Sequence, residues 1–271
     1  MPFNPYHYPE YRVDGLYVMH APSTASAARS RPPLLLIHGA SHGAWCWELW
    51  MRELPGLGWH SHALSLRGHA GSTPFPGGVL LQLTLGDYLD DVCRVLAHVG
   101  RPCVLIGHSM GGLIAQATAA WLAQSGQPAA ALVLLASAEP APARNLFAEP
   151  LPLERPFPPS KEFAAQRYFH DVEPAVLADA LARLGPESPT ALNQLGTGQG
   201  YAVDVGAITC PVLVVTAEHD RSIAPADRTI ADRYAGADYL HIAGQGHDLM
   251  LERGWSTTLG RVADWLQRKV G

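Results

Sequence analysis

The chain has 271 residues, 48% hydrophobic and 16% charged, which suffices for one large globular domain and does not require more than two. Its formal net charge is -5, and its 17 arginines and 2 lysines are scattered, so it lacks the basic patch of a nucleic-acid or anionic-membrane binder. The expected partner is a small neutral or apolar molecule.

The N-terminus, MPFNPYHYPEYRVDG, shows no basic segment followed by an apolar one. No window approaches roughly 18 uninterrupted apolar residues, so the expectation is a soluble, cytoplasmic chain with no membrane partner. Cys46, Cys93, Cys103 and Cys210 are widely spaced without a Cys-x-x-Cys pair and are expected to be reduced and mostly packed. Thirteen histidines include His60 and His62 two apart and His38 and His42 four apart, but no HExxH or Cys/His cluster accompanies them. No metal or other cofactor is therefore expected.

In chain order, Tyr11-Arg12-Val13 and Leu16-Tyr17-Val18-Met19 flank Asp14-Gly15, a strong hairpin signal. Short apolar runs follow at Leu34–Ile37, His62–Leu66, Cys103–Ile106, Ala131–Leu135, Pro211–Val215 and Tyr239–Ile242. Helical patterns lie between or after them at Ala44–Leu54, Leu83–His98, Met110–Gln124, Pro225–Tyr234 and Trp255–Val270. Continuously apolar strands alternating with helices predict a mostly parallel, doubly wound α/β sheet, opened here by an antiparallel hairpin. The alternation breaks over 139–205, where prolines from Pro140 to Pro159 precede helical patches such as Pro174–Leu184. That stretch is too long for a plain loop. It is expected to be a helical lid over the C-terminal edge of the sheet, with 1–138 and 206–271 forming the core domain.

Val104-Leu105-Ile106-Gly107-His108-Ser109-Met110-Gly111-Gly112 reads as strand, Gly-x-Ser-x-Gly turn and helix. A serine on such a turn is presented at the sheet edge beside a helix N-terminus, and the glycines remove side chains that would collide there. Its hydroxyl needs a base, and the base needs an orienting acid. His247 follows the last strand in a small-residue loop, and His241, within the strand, is assigned a structural role. Asp220 at the end of the 211–215 strand is the expected acid, with Glu139, Glu218 and Asp248 as competitors. An oxyanion also needs two N–H donors. Met110, after the serine, supplies one and Ala40, in the His38-Gly39-Ala40 turn, the other.

These motifs, together with Arg67-Gly68-His69-Ala70-Gly71-Ser72, resemble those of α/β-hydrolase-fold serine hydrolases. The loop at Arg67 resembles one common in that superfamily and gives Arg67 a structural role. The stretch His38-Gly39-Ala40-Ser41-His42-Gly43-Ala44-Trp45-Cys46-Trp47 further resembles the opening of plant methyl esterases and their hydroxynitrile lyase relatives. The lyases carry threonine where this chain has Gly39 and lysine where it has Asp248, so the resemblance implies an esterase. Dehalogenases and epoxide hydrolases of the fold use an aspartate where this chain has Ser109. The expectation is hydrolysis of small to medium hydrophobic carboxylic esters through an acyl-enzyme.

Perhydrolase or haloperoxidase-like, amidase and C–C hydrolase activities share the triad and remain alternatives, as does a non-catalytic binder. Gly39, Trp45 and His108 are candidates for the substrate pocket. Trp47 and Trp50, three apart, are expected in the core. Apolar residues of 139–205, among them Phe147, Phe157, Phe163 and Tyr168, suit a hydrophobic substrate. Oligomeric state is not readable.

Overall fold

The computed structural model describes residues 6–75, 78–197, 200–223 and 228–271. Asp14 and Gly15 take positive φ (49° and 86°) and reverse the chain between β1 (Glu10–Val13) and β2 (Leu16–Ala21), with Val13 opposite Leu16. β2 runs antiparallel to β4 (Ser61–Ser65), and from there every pairing is parallel. With β3 (Leu34–Ile37), β5 (Val104–His108), β6 (Ala131–Leu135), β7 (Val212–Ala217) and β8 (Asp238–Ile242), the order is β1-β2-β4-β3-β5-β6-β7-β8. β3, β5 and β6 are buried at every position. Period-two alternation sends Leu34 and Leu36 into one core and Leu35 and Ile37 into the other, which is why these strands read as unbroken apolar runs. The expected α/β-hydrolase sheet with its N-terminal hairpin is present.

Helices cover both faces. α1 (Glu48–Glu53) is preceded by a 3-10 turn at Ala44–Trp47, so the single helix expected over 44–54 is split. The N–H of Ala44 donates to Ser65 Oγ at 2.8 Å, which anchors the tight turn on β4, and Trp47 and Trp50 are fully buried. A short α2 (Val79–Gln82) leads to α3 (Leu85–Val99), which has a Thr84–Asp87 capping box and ends at Gly100 with φ 70°. α4 (Met110–Gln124) and α8 (Trp255–Val270) keep the bounds read from the sequence.

Of the helix expected over 225–234, the described residues 228–234 form no α-helix. Residues 224–227 lie outside the described ones, and beyond them a 3-10 turn spans only Ala231–Arg233. Tyr234 leaves that turn extended, and its buried hydroxyl donates to Gln116 Oε1 at 2.6 Å, a tertiary bond that replaces helical continuation. Between β6 and β7 lie α5 (Lys161–Tyr168), α6 (Pro174–Arg183) and α7 (Pro189–Gly196), with proline at the first helical position of the last two. The four cysteines are free thiols.

Candidate active site

Ser109 sits between the last residue of β5 and the first of α4, at φ 54° and ψ -121°, a conformation that L-residues rarely adopt. Close backbone packing holds it there. A Cβ on Gly107 would lie 2.3 Å from Gly111 O, one on Gly111 2.3 Å from His38 O, and one on Gly112 2.3 Å from Ser137 Oγ. The Ser109 N–H donates to Leu135 O at 3.0 Å, and Ser109 O accepts from Ala138 N at 3.0 Å, so the end of β6 and the segment after it fix both sides of the turn.

His247 and Asp220 meet from loops at the ends of two neighbouring strands. His247 Nδ1–H donates to Asp220 Oδ2 at 2.8 Å. Asp220 Oδ1 accepts from the N–H groups of Ser222 (2.8 Å) and Ile223 (3.1 Å), which locks the carboxylate against rotation. Burial alone would raise the Asp220 carboxyl; the charge of His247 and these hydrogen bonds outweigh it and hold it below the usual range. For His247, burial disfavours the imidazolium, but Asp220 and then Asp248 more than compensate, leaving its pKa raised.

The three competing acids are engaged elsewhere. Glu139 takes Arg144 Nε at 2.7 Å, exposed Glu218 accepts from the Gly244 N–H at 2.8 Å, and Asp248 faces His42 Nε2 at 3.0 Å.

The turn after β3 lies against the serine. A Cβ on Gly39 would meet His108 Nδ1 and Ser109 Cβ, each at 2.9 Å, so a larger residue here would have to displace them. Ala40 borders the cavity. Ser41 is left-handed at φ 66° and is held through both of its backbone polar groups: its N–H donates to Glu187 Oε2 (3.0 Å) and its carbonyl accepts from Gly185 N (2.8 Å). His38 donates from Nδ1 to Gly39 O (2.7 Å) and accepts at Nε2 from Leu66 N (3.0 Å), which defines a neutral ring; burial depresses its pKa.

A cleft joins Ser109, His247, His108, His42 and Ala40 to Phe147, Phe157, Phe163, Arg167, Tyr168 and Leu192. Two of the pocket candidates are corrected here. Trp45 is only 3% exposed and lies off the cavity wall, stacked on His42 (5.2 Å between ring centroids) and roofed by the Arg183 guanidinium at 5.0 Å. Gly39 lies behind His108 and does not line the cleft; His108 does line it.

Burial, then His247, push the His108 pKa down to about 3, and its Nε2–H donates to His247 O at 3.1 Å. His108, His247 and Asp248 offer ligand atoms within 4.8 Å of one another, a spacing a metal could use. His247 Nδ1 and His108 Nε2 are, however, already committed to hydrogen bonds.

Two features escape a reading by motif. Fully buried Glu187 accepts from Ser41 N, His69 Nε2 (2.9 Å), Tyr88 OH (2.6 Å) and Ser188 N (2.8 Å), so it joins three separate segments. Arg167 brings a guanidinium to the cleft wall. Neither has a neighbouring motif, and only chain folding brings their partners near. Arg67, assigned a structural role from the loop around it, pairs with buried Asp91 at 2.6 Å.

The profile of the alpha/beta hydrolase family matches residues 34–258, and the chain belongs to that family. Among its relatives, a pyrethroid hydrolase of Sphingobium wenxiniae is 36% identical over 91 residues, 34% of this chain and 30% of that protein. The chain thus spans less than a third of that relative. A monoacylglycerol lipase of Mycolicibacterium smegmatis is 28% identical over 255 residues, 87% of this chain and 88% of that one. A thermophilic esterase from Thermogutta terrifontis shares the fold at a TM-score of 0.72 and 20% identity, covering 97% of this chain and 100% of its own.

Proposed function

We propose that the protein is a serine hydrolase of carboxylic esters, with Ser109 as nucleophile, His247 as general base and Asp220 as the acid that orients it. The observation that carries this reading is the 2.8 Å bond from His247 Nδ1 to Asp220, which leaves Nε2 as the basic nitrogen in the cleft that also holds Ser109. His247 Nε2 takes the Ser109 proton as Oγ attacks the ester carbonyl. The N–H groups of Ala40 and Met110 donate to the developing oxyanion; Met110 opens α4, so its N–H has no intrahelical acceptor. The imidazolium then gives its proton to the departing alcohol. Water, deprotonated by the same ring, releases the acid and restores Ser109.

The segment 139–205 acts as a helical cap in this reading, and its aromatic residues on the cleft favour small to medium hydrophobic groups. The relatives named for pyrethroid, monoacylglycerol and ester hydrolysis support ester cleavage over the amidase, C–C hydrolase and perhydrolase alternatives. Among the described residues no helix is long and apolar enough to cross a membrane. A cytoplasmic location remains part of the proposal.

A fluorophosphonate probe tests the triad. Ser109 should be labelled in the wild type and unlabelled in His247→Ala, and Ser109→Ala should fold without ester turnover. Near-wild-type turnover by Ser109→Ala overturns the mechanism, and absence of labelling in the wild type points to a non-catalytic binder.

A further inference from the structure

Among the described residues lining the cleft, Arg167 contributes the one side chain that is charged irrespective of pH, and no aspartate or glutamate lines it. Its Nε is buried with no acceptor. The other partly buried arginines among the described residues differ: Arg67 pairs with Asp91, Arg183 with Glu48, Arg233 donates to the carbonyls of Pro140 and Pro142, and Arg31 to those of Leu57 and Gly58. Around Arg167 there is instead the face of Phe163, 5.8 Å from the guanidinium, and an apolar wall that includes Phe157, Phe147 and Leu192. A buried donor without an acceptor is costly, and a guanidinium forks onto a carboxylate with two parallel hydrogen bonds. A hydrophobic ester alone gives this positively charged side chain of the cleft lining no anionic partner.

We propose that Arg167 makes the cleft selective for esters that carry a second, anionic group, the half-ester of an aliphatic dicarboxylic acid being the simplest. The inference rests on the hydrolase reading and narrows its substrate class. The apolar wall takes the methylene chain, and Arg167 receives the distal carboxylate while the ester carbonyl faces Ser109.

The test compares monomethyl adipate with methyl 6-methylheptanoate, which has the same shape but an isopropyl end in place of the carboxylate, each followed by pH-stat titration. The wild type is expected to favour the anionic ester at least tenfold in kcat/KM, mostly through KM, as for a charge-assisted hydrogen bond. Arg167→Gln should bring the ratio towards one, and Arg167→Lys should retain part of it. Protection of Ser109 from fluorophosphonate labelling by each ester should show the same order of affinity without requiring turnover. Ser109-dependent turnover of both esters without preference, or a preference that survives in Arg167→Gln, overturns the inference and leaves the hydrolase reading intact. Turnover that survives Ser109→Ala overturns the hydrolase reading itself.

Discussion

Replacing Glu187 by glutamine tests how the turn after β3 is held. The carboxylate is fully buried and accepts four hydrogen bonds, one from the N–H of left-handed Ser41 and one from His69. His69 Nδ1 and Nε2 face Arg67 O and Glu187 Oε2, two acceptors, so the ring is an imidazolium and the pair is ionic. Removing one charge of a buried pair leaves the other uncompensated, at about 3–5 kcal/mol. For a chain of this size each kcal/mol moves Tm by about 2–4 °C, so a fall of about 6–20 °C is expected.

The pH dependence follows from two opposite shifts. Burial would raise the Glu187 carboxyl, but His69 and the hydrogen bonds depress it, so its contribution is present above the unfolded carboxyl value of about 4.3 and is lost as pH falls through the folded value. Burial would lower the His69 pKa, but Glu187 raises it, so that contribution is complete below about 6.5 and is lost as pH rises through the folded value. Urea unfolding of wild type and variant should therefore differ most near pH 5.5, and less at pH 9. A difference under about 1 kcal/mol at pH 5.5, or one that grows towards pH 9, would refute the ionic pairing.

For catalysis, Asp220→Asn should leave the fold intact and lower kcat by about 10³–10⁴ in ester turnover, because an amide no longer enforces the Nδ1–H tautomer of His247. Because His247 is held above its ordinary 6.5 and is needed unprotonated, kcat/KM should rise with pH through an apparent pKa above 6.5; a limb at or below that value would contradict the assignment. Gly39→Thr should cost about 1–3 kcal/mol in a thermal melt, since even its Cβ would meet His108 and Ser109 at 2.9 Å, and should not yield cyanohydrin cleavage. Arg67→Gln should cost about 2–4 kcal/mol by stranding buried Asp91, with kcat of the folded fraction unchanged because the pair lies off the cleft.

Local chemistry by itself determined the order of elements: aliphatic runs for the strands, Asp-Gly for the hairpin, and the bounds of α4 and α8 to the residue. It also marked Ser109 and His247 as candidates, because a strand–turn–helix serine and a small-residue histidine loop are written in contiguous residues. Tertiary structure decided what depends on distance across the chain. Asp220 is hydrogen-bonded to His247, Glu139 to Arg144 and Asp248 to His42, pairings that spacing alone leaves open. The 3-10 turn at Ala44–Trp47, anchored on Ser65, withdraws Trp45 from the cleft, and the bond from Tyr234 to Gln116 stands where a helix was expected. Arg167 and Glu187 belong to no motif. Glu187 meets Ser41, His69 and Tyr88 from distant parts of the chain and Arg167 Nε meets no acceptor, and burial sets the strength of such interactions only after the chain has closed around them.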